Sequence, residues 1–158
     1  MFNILEHAPW APDLKGARVI DLFAGSGALG LEALSRGAAF CLFVETHDAA
    51  RGAIRDNIEA FELFGVTRIH RRDATDLGVR PASAGPAFDI AFLDPPYHQG
   101  LTERALAELL AHGWLAPGAV IVAERGSDEA PLTSPGFTAL DVRHYGAARV
   151  HFLRLASA

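Results

Sequence analysis

Strand-like and helix-like segments alternate through most of this chain, and that order limits the folds it can adopt. Short apolar runs typical of buried strands are separated by stretches whose apolar residues recur at helical spacing. The predicted strands are 17–23, 40–45, 68–72, 88–93 and 119–123, and the predicted helices begin near Leu31, Asp48 and Leu101. Parallel strands need crossovers that cover the sheet. The alternation therefore predicts an α/β fold with a mainly parallel sheet and helices on both faces.

The last segment of the chain breaks this alternation. Residues 137–145 and 149–155 are both strand-like, and only Gly146-Ala147-Ala148 separates them. A link this short permits only an antiparallel hairpin. Gly, Pro and Ser predict a turn at 113–118 and loops at 76–87 and 126–136. Because there is no repeat or linker, we expect residues 1–158 to form a single domain.

The composition restricts the class of protein further. With 50% hydrophobic and 21% charged residues, the chain has the composition of a soluble globular protein. It has no apolar run long enough to span a bilayer and no signal-like start, so we expect a cytoplasmic protein without membrane contact. The single cysteine, Cys41, fits a small buried hydrophobe, and the seven histidines lack metal-ligand spacing, so no metal is expected. A net charge of −5 argues against nucleic acid binding over the whole surface, so such binding must be local.

A glycine motif follows the first predicted strand. Residues 25–30, Gly-Ser-Gly-Ala-Leu-Gly, fit the G-x-G-x-x-G pattern that lets a nucleotide-type ligand approach the backbone, and alone it would suit a nicotinamide or flavin enzyme. Asp21 favours another ligand, because its carboxylate would repel a pyrophosphate but attract a cation. S-adenosylmethionine carries an ammonium and a sulfonium and no phosphate. The alternative is that Asp21 is a structural acid that closes the glycine turn by hydrogen bonding.

Two further acids end predicted strands. Glu45 comes twenty residues after Gly25, where an acid that binds ribose hydroxyls belongs in this topology. Asp73 ends the third strand, where it could accept a hydrogen bond from an adenine amino group. Its alternative role is a solvated acid paired with Arg71 or Arg72.

The segment Asp94-Pro95-Pro96-Tyr97 directly follows the apolar strand 88–93. Asp94 and the Pro95 carbonyl could accept both hydrogens of an exocyclic amino group and so turn its lone pair toward a methyl donor. Tyr97 could stack on the base that carries this group, once the base is flipped out of structured nucleic acid. A plain strand-ending turn is the alternative.

Residues 19–37 and 92–97 together resemble the RsmD family of ribosomal RNA methyltransferases, and the similarity extends over almost the whole chain. It includes 113–118 and the closing hairpin. The resemblance implies the Rossmann-like class I S-adenosylmethionine-dependent methyltransferase fold, with seven strands of which the last is antiparallel. It also implies methyl transfer to the N2 amino group of a guanine in 16S ribosomal RNA, without a metal, and S-adenosylhomocysteine as the product. The partner would be that RNA or the assembling small ribosomal subunit, and we expect a monomer.

The site residues follow from the motif positions in this sequence. The predicted catalytic residues are Asp94, Pro95, Pro96 and Tyr97. The predicted cofactor-binding residues are Asp21, Phe23, Gly25, Ser26, Gly27, Glu45, Asp73, Ala74 and Asp94.

The chain also departs from the family pattern. Members usually carry a basic N-terminal stretch, an Arg-Pro-Thr segment and a helix before the Phe-Asn that corresponds here to Phe2-Asn3. Such a segment would help to cover the cofactor and add positive charge. His98-Gln99 stands where the family often has a basic residue.

Three alternative functions stay open at this stage. Asp-Pro-Pro-Tyr also resembles the motif of adenine-N6 and cytosine-N4 methyltransferases, and Asn-Pro-Pro-Tyr marks protein glutamine methyltransferases. A cofactor-binding but inactive ribosome-assembly module is a second alternative. A nicotinamide oxidoreductase is the third.

Overall fold

The computed structural model describes residues 1–130, 132 and 134–157. Its seven strands are β1 Arg18–Leu22, β2 Phe40–Val44, β3 Thr67–His70, β4 Phe88–Leu93, β5 Leu115–Gly126, β6 Phe137–Tyr145 and β7 Ala148–Leu155. They form one sheet in the order β3-β2-β1-β4-β5-β7-β6. Strands β1 to β5 are parallel to one another, whereas β7 is antiparallel to both β5 and β6. The predicted mainly parallel sheet with a C-terminal antiparallel hairpin is confirmed.

Helices cover both faces of the sheet. They are α1 Phe2–His7, α2 Ala28–Ser35, α3 Asp48–Ala60 and α4 Leu101–Ala111, with 3-10 turns at Phe64–Val66 and Ala82–Ala84. Leu5, Ala33 and Ile54 place α1, α2 and α3 on the face that also buries Phe43 and Phe92. Helix α4 packs on the opposite face, where its buried residues are Ala105, Leu106 and Leu109. Strands buried on both faces explain the continuous apolar runs in the sequence.

The fifth strand differs from the prediction. The predicted turn at 113–118 lies mostly inside β5, because pairing with β4 already begins at Leu115. Phe88 pairs with Leu115, and Ile90 pairs with Val120. The residues between Leu115 and Val120 therefore form a large irregularity in the ladder, in which Gly118 adopts φ +75°. Proline and glycine marked a bulge here, and not a break between elements.

Strand β5 also runs beyond its predicted end at Ala123, because β7 supplies an antiparallel partner as far as Gly126. This extension carries Glu124 to the carboxyl edge of the sheet. The predicted loop at 126–136 includes residues 131 and 133, which lie outside the described residues. Among the residues that are described, no helix combines the length and hydrophobicity needed to cross a membrane.

Candidate active site

A cavity of about 370 Å³ opens where the carboxyl ends of β1 to β4 meet. A pocket of this size, with apolar walls and a few polar groups, is typical of small-molecule sites. The predicted site residues on its wall are Phe23, Glu45, Asp73, Ala74, Asp94 and Pro96. The structure thus brings together residues from all four strand ends.

Glu45 is held by backbone amides around its carboxylate. One oxygen accepts from the Gly25 amide at 2.7 Å, and the other accepts from the Thr46 and His47 amides at 2.9 and 3.1 Å. The residue is only 8% exposed. A carboxylate offers about four lone-pair positions, so one remains for a ligand hydroxyl. Glu45 therefore both anchors the glycine loop to β2 and presents an acceptor to the cavity.

Asp73 forms a turn with the residues that follow it. Its Oδ1 accepts from the Thr75 amide at 2.8 Å and from the Thr75 hydroxyl at 2.7 Å. These hydrogen bonds, with a smaller contribution from the Arg104 charge, lower the pKa of Asp73. Within residues 1–130, 132 and 134–157, no ion pair joins Asp73 to Arg71 or Arg72. The exposed carboxylate is thus ionised and oriented by Thr75.

Asp21 lies beneath the glycine loop and not on the cavity wall. It is 1% exposed, and its Oδ2 accepts a hydrogen bond from the Gly30 amide at 3.1 Å. Burial raises the pKa of Asp21 to about 8, and the Asp94 and Glu45 charges add to the rise. The side chain is therefore mostly protonated at neutral pH. This is the geometry of the structural alternative, and direct contact with a cationic ligand stays a prediction.

Different steric constraints require glycine at different positions of the loop. Gly25 and Gly27 adopt φ +57° and +82°, a region that residues with a Cβ rarely occupy. Gly30 sits against β2, where a Cβ would lie 2.5 Å from the Cys41 Sγ. None of Gly25, Ser26 and Gly27 lines the cavity, so their contact with a cofactor stays a prediction.

The segment after β4 presents its functional groups at the surface. Asp94 and Pro96 are exposed, Pro95 is buried, and Tyr97 is 36% exposed. Glu129, which the sequence analysis missed, accepts from the His98 amide at 3.0 Å and from the Gly126 amide. It thereby ties the segment that carries Tyr97 to the end of β5.

Glu124 is a second residue that the sequence analysis missed. Leu93 pairs with Ala123, so the next residues, Asp94 and Glu124, lie side by side. A hydrogen bond between their side chains, burial and the Asp94 charge raise the pKa of Glu124 to about 7. The sequence pattern does indicate Glu124, because this residue follows the apolar run 119–123 just as Glu45, Asp73 and Asp94 come at the ends of their predicted strands.

Comparison with known proteins identifies the family. The family model described as conserved hypothetical protein 95 matches residues 1–154. Ribosomal RNA small subunit methyltransferase D of Haemophilus influenzae is 32% identical over 136 residues, which cover 85% of this chain and 70% of the relative. The chain belongs to this family, the RsmD family. The Escherichia coli K12 protein of the same name is 37% identical over 125 residues, covering 79% of this chain and 61% of that relative.

The structural comparison agrees with the RsmD assignment. A solved methylase structure from Haemophilus influenzae superposes with a TM-score of 0.83 at 29% identity, covering 99% of this chain and 94% of that one. The predicted class I S-adenosylmethionine-dependent methyltransferase fold is confirmed. Across the part of this RsmD-family chain that the structure describes, no group of three or more His, Cys, Asp or Glu residues could hold a metal ion.

Proposed function

We propose that this RsmD-family protein transfers a methyl group from S-adenosylmethionine to the N2 amino group of a guanine in 16S ribosomal RNA. The observation that carries the proposal is that Asp94 and Pro96, from the segment Asp94-Pro95-Pro96-Tyr97, line the same cavity as Glu45 and Asp73. The names of the relatives in Haemophilus influenzae and Escherichia coli support RNA of the small subunit as the substrate.

The cavity residues fit the proposed cofactor. The free lone pair of Glu45 suits a ribose hydroxyl, and Asp73 suits an adenine amino group beside the apolar Ala74. Phe23 and Pro96 supply apolar wall for the adenosine. When bound, S-adenosylmethionine supplies an electrophilic methyl group on a sulfonium.

Asp94 and Pro95 orient the amino group of the substrate. The lone pair of an exocyclic nitrogen is delocalised into the ring, which makes it a poor nucleophile. If the Asp94 carboxylate and the Pro95 carbonyl each accept one of its hydrogens, the lone pair turns toward the methyl group. Such positioning can supply up to about 7 to 11 kcal/mol of the barrier. The exposed Tyr97 ring can stack on the flipped base, which contributes roughly 1 to 3 kcal/mol.

The Asp94–Glu124 pair accepts the proton that the nitrogen loses on methylation. Below a pH of about 7 Glu124 is mostly protonated and donates a hydrogen bond to Asp94, because its pKa is raised to about 7. Above that pH the Glu124 carboxyl is ionised and can take up one proton. Burial and the charges of Glu124, Asp94 and Glu129 raise the pKa of the nearby Tyr97.

Glu124→Gln should remove a step from the pH profile of methyl transfer. The single-turnover rate of the wild type should rise with pH, so that its value at pH 6 is roughly one tenth of that at pH 8. Glutamine cannot ionise, so the rate of the variant should stay nearly flat over this range. Histidines titrate near neutral pH, so His98→Gln is the matched control and should keep the wild-type profile. An unchanged inflection in Glu124→Gln would exclude Glu124 as its source.

The other acceptor classes use the same cofactor site, so the product decides among them. If the product is N6-methyladenine, N4-methylcytosine or a methylated glutamine, the corresponding amino group replaces the guanine N2 amino group as the proposed acceptor. A protein that binds S-adenosylhomocysteine yet methylates no RNA would support the inactive assembly module.

A further inference from the structure

A second groove, separate from the cavity, lies between α3 and the edge strand β3. Its volume is about 600 Å³. Its charged and aromatic wall consists of Arg51, Arg55, Arg68, Arg71, Glu59 and Phe64. The groove is thus predominantly cationic on a protein whose net charge is −5.

Most cationic side chains of the chain are engaged by the protein itself. The arginines that contact a carboxylate or donate to a backbone carbonyl are Arg18, Arg36, Arg51, Arg72, Arg80, Arg125, Arg143, Arg149 and Arg154. Among the described residues, the arginines with neither kind of side-chain contact are Arg55, Arg68, Arg71 and Arg104, and all four are exposed. Three of these four line the groove. The unengaged arginines are therefore concentrated at one place.

The groove also exposes an aromatic ring. Phe64 is 67% exposed on the 3-10 turn between α3 and β3, and Phe61 at the end of α3 is 65% exposed. Two large aromatic side chains exposed on one short segment are available to contact a partner. Cationic groups beside exposed aromatic rings are the combination that binds single-stranded nucleic acid, through phosphate contacts and base stacking.

The positive charge continues from the groove to the candidate active site. Arg71 lines the groove, while the next residue, Arg72, lines the cavity together with Arg104. Burial and the charges of Arg68 and Arg72 lower the pKa of His70 between them. An anionic polymer seated in the groove could thus run along arginines to the cavity mouth.

We propose that the groove between α3 and β3 binds the phosphate backbone of the RNA substrate, with Phe64 stacking on an unpaired base. This inference rests on the proposed function, because it names the surface that holds the substrate of that site. The groove supplies the local positive charge that an acidic protein needs to bind RNA.

The test is the binding and methylation of a protein-free 16S ribosomal RNA transcript by Arg68→Gln/Arg71→Gln. The matched control is Lys15→Gln/Arg143→Gln, which changes the net charge equally. Lys15 precedes β1 and Arg143 lies in β6 at the opposite edge of the sheet. The dissociation constant for RNA and the KM should rise roughly tenfold in the groove variant and little in the control. The slope of log affinity against log salt should fall by about 1.4 to 1.8 for two lost phosphate contacts.

Separate readings distinguish the docking surface from the chemistry. The kcat and the S-adenosylhomocysteine affinity of the groove variant should match the wild type, which also shows that it is folded. Glu59→Gln removes a negative charge from the groove and should tighten RNA binding.

If the wild type methylates the transcript but the groove variant binds it as tightly, the docking proposal is wrong and the proposed function stands. If the wild type binds the transcript without methylating it, the proposed function is wrong. The RNA affinities of the groove and control variants then test the docking proposal by themselves. An equal loss in the control, no RNA binding, or an effect only on protein-containing ribosomal particles would also overturn the docking proposal.

Discussion

Asp94→Ala should lower the rate of methyl transfer to RNA by about 10²- to 10⁴-fold, the usual scale for a positioned proton acceptor. The substitution removes the carboxylate that orients the amino group and half of the pair that takes up its proton. It also leaves Glu124 without its hydrogen-bond partner. Because Asp94 is exposed at a strand end, the variant should remain folded.

The loss should be measured as a single-turnover rate at saturating cofactor, because Asp94 also lines the cavity and affects cofactor affinity. Asp94→Asn is the informative companion, since asparagine keeps one acceptor oxygen but cannot take up the proton. Asp128→Ala, which removes another exposed carboxylate close to His98, is the control and should retain the wild-type rate. A rate for Asp94→Ala within a few fold of the wild type would exclude the proposed mechanism.

Glu45→Ala should weaken S-adenosylhomocysteine binding by on the order of 100-fold. The carboxylate accepts from three backbone amides, at Gly25, Thr46 and His47, and it offers the remaining acceptor to the ribose. Leaving a buried polar group unsatisfied costs about 1 to 3 kcal/mol, and 100-fold in affinity corresponds to about 2.7 kcal/mol. The glycine loop would lose its link to β2, so thermal stability should fall as well.

Calorimetric titration of each variant with S-adenosylhomocysteine measures this effect. Glu45→Gln should fall between wild type and alanine, because its oxygen can serve one set of amides while its amino group faces the others. Asp76→Ala, an exposed acid in the loop after β3, should bind like the wild type. Unchanged affinity in Glu45→Ala would remove Glu45 from the cofactor site.

The positions of Glu45, Asp73 and Asp94 at one edge were predictable, because each acid follows an apolar run and parallel strands align their carboxyl ends. The burial of Asp21 could not be predicted, because a strand pattern does not reveal which residues cover a side chain. The pairing of Asp94 with Glu124 depends on the β4–β5 register, which a bulge shifts. Arg55 and Arg68 line one groove because α3 and β3 lie side by side, an arrangement of elements that periodicity cannot predict.

The packing of the first helix is a further feature that the strand pattern could not indicate. The Phe2 ring lies 5.6 Å from the Phe92 ring, which places α1 against β4 two residues before Asp94. The Phe-Asn of the family pattern thus lies close to the candidate catalytic segment.

The proposed function is tested most directly by mass spectrometry of nucleosides digested from 16S ribosomal RNA of cells with and without this protein. We expect N2-methylguanosine to decrease by one residue per 16S molecule in cells that lack the protein. Wild-type protein with S-adenosylmethionine should restore the modification to their RNA, and Asp94→Ala should not. An unchanged N2-methylguanosine content, or the loss of a methylated adenine or cytosine instead, would contradict the proposed function.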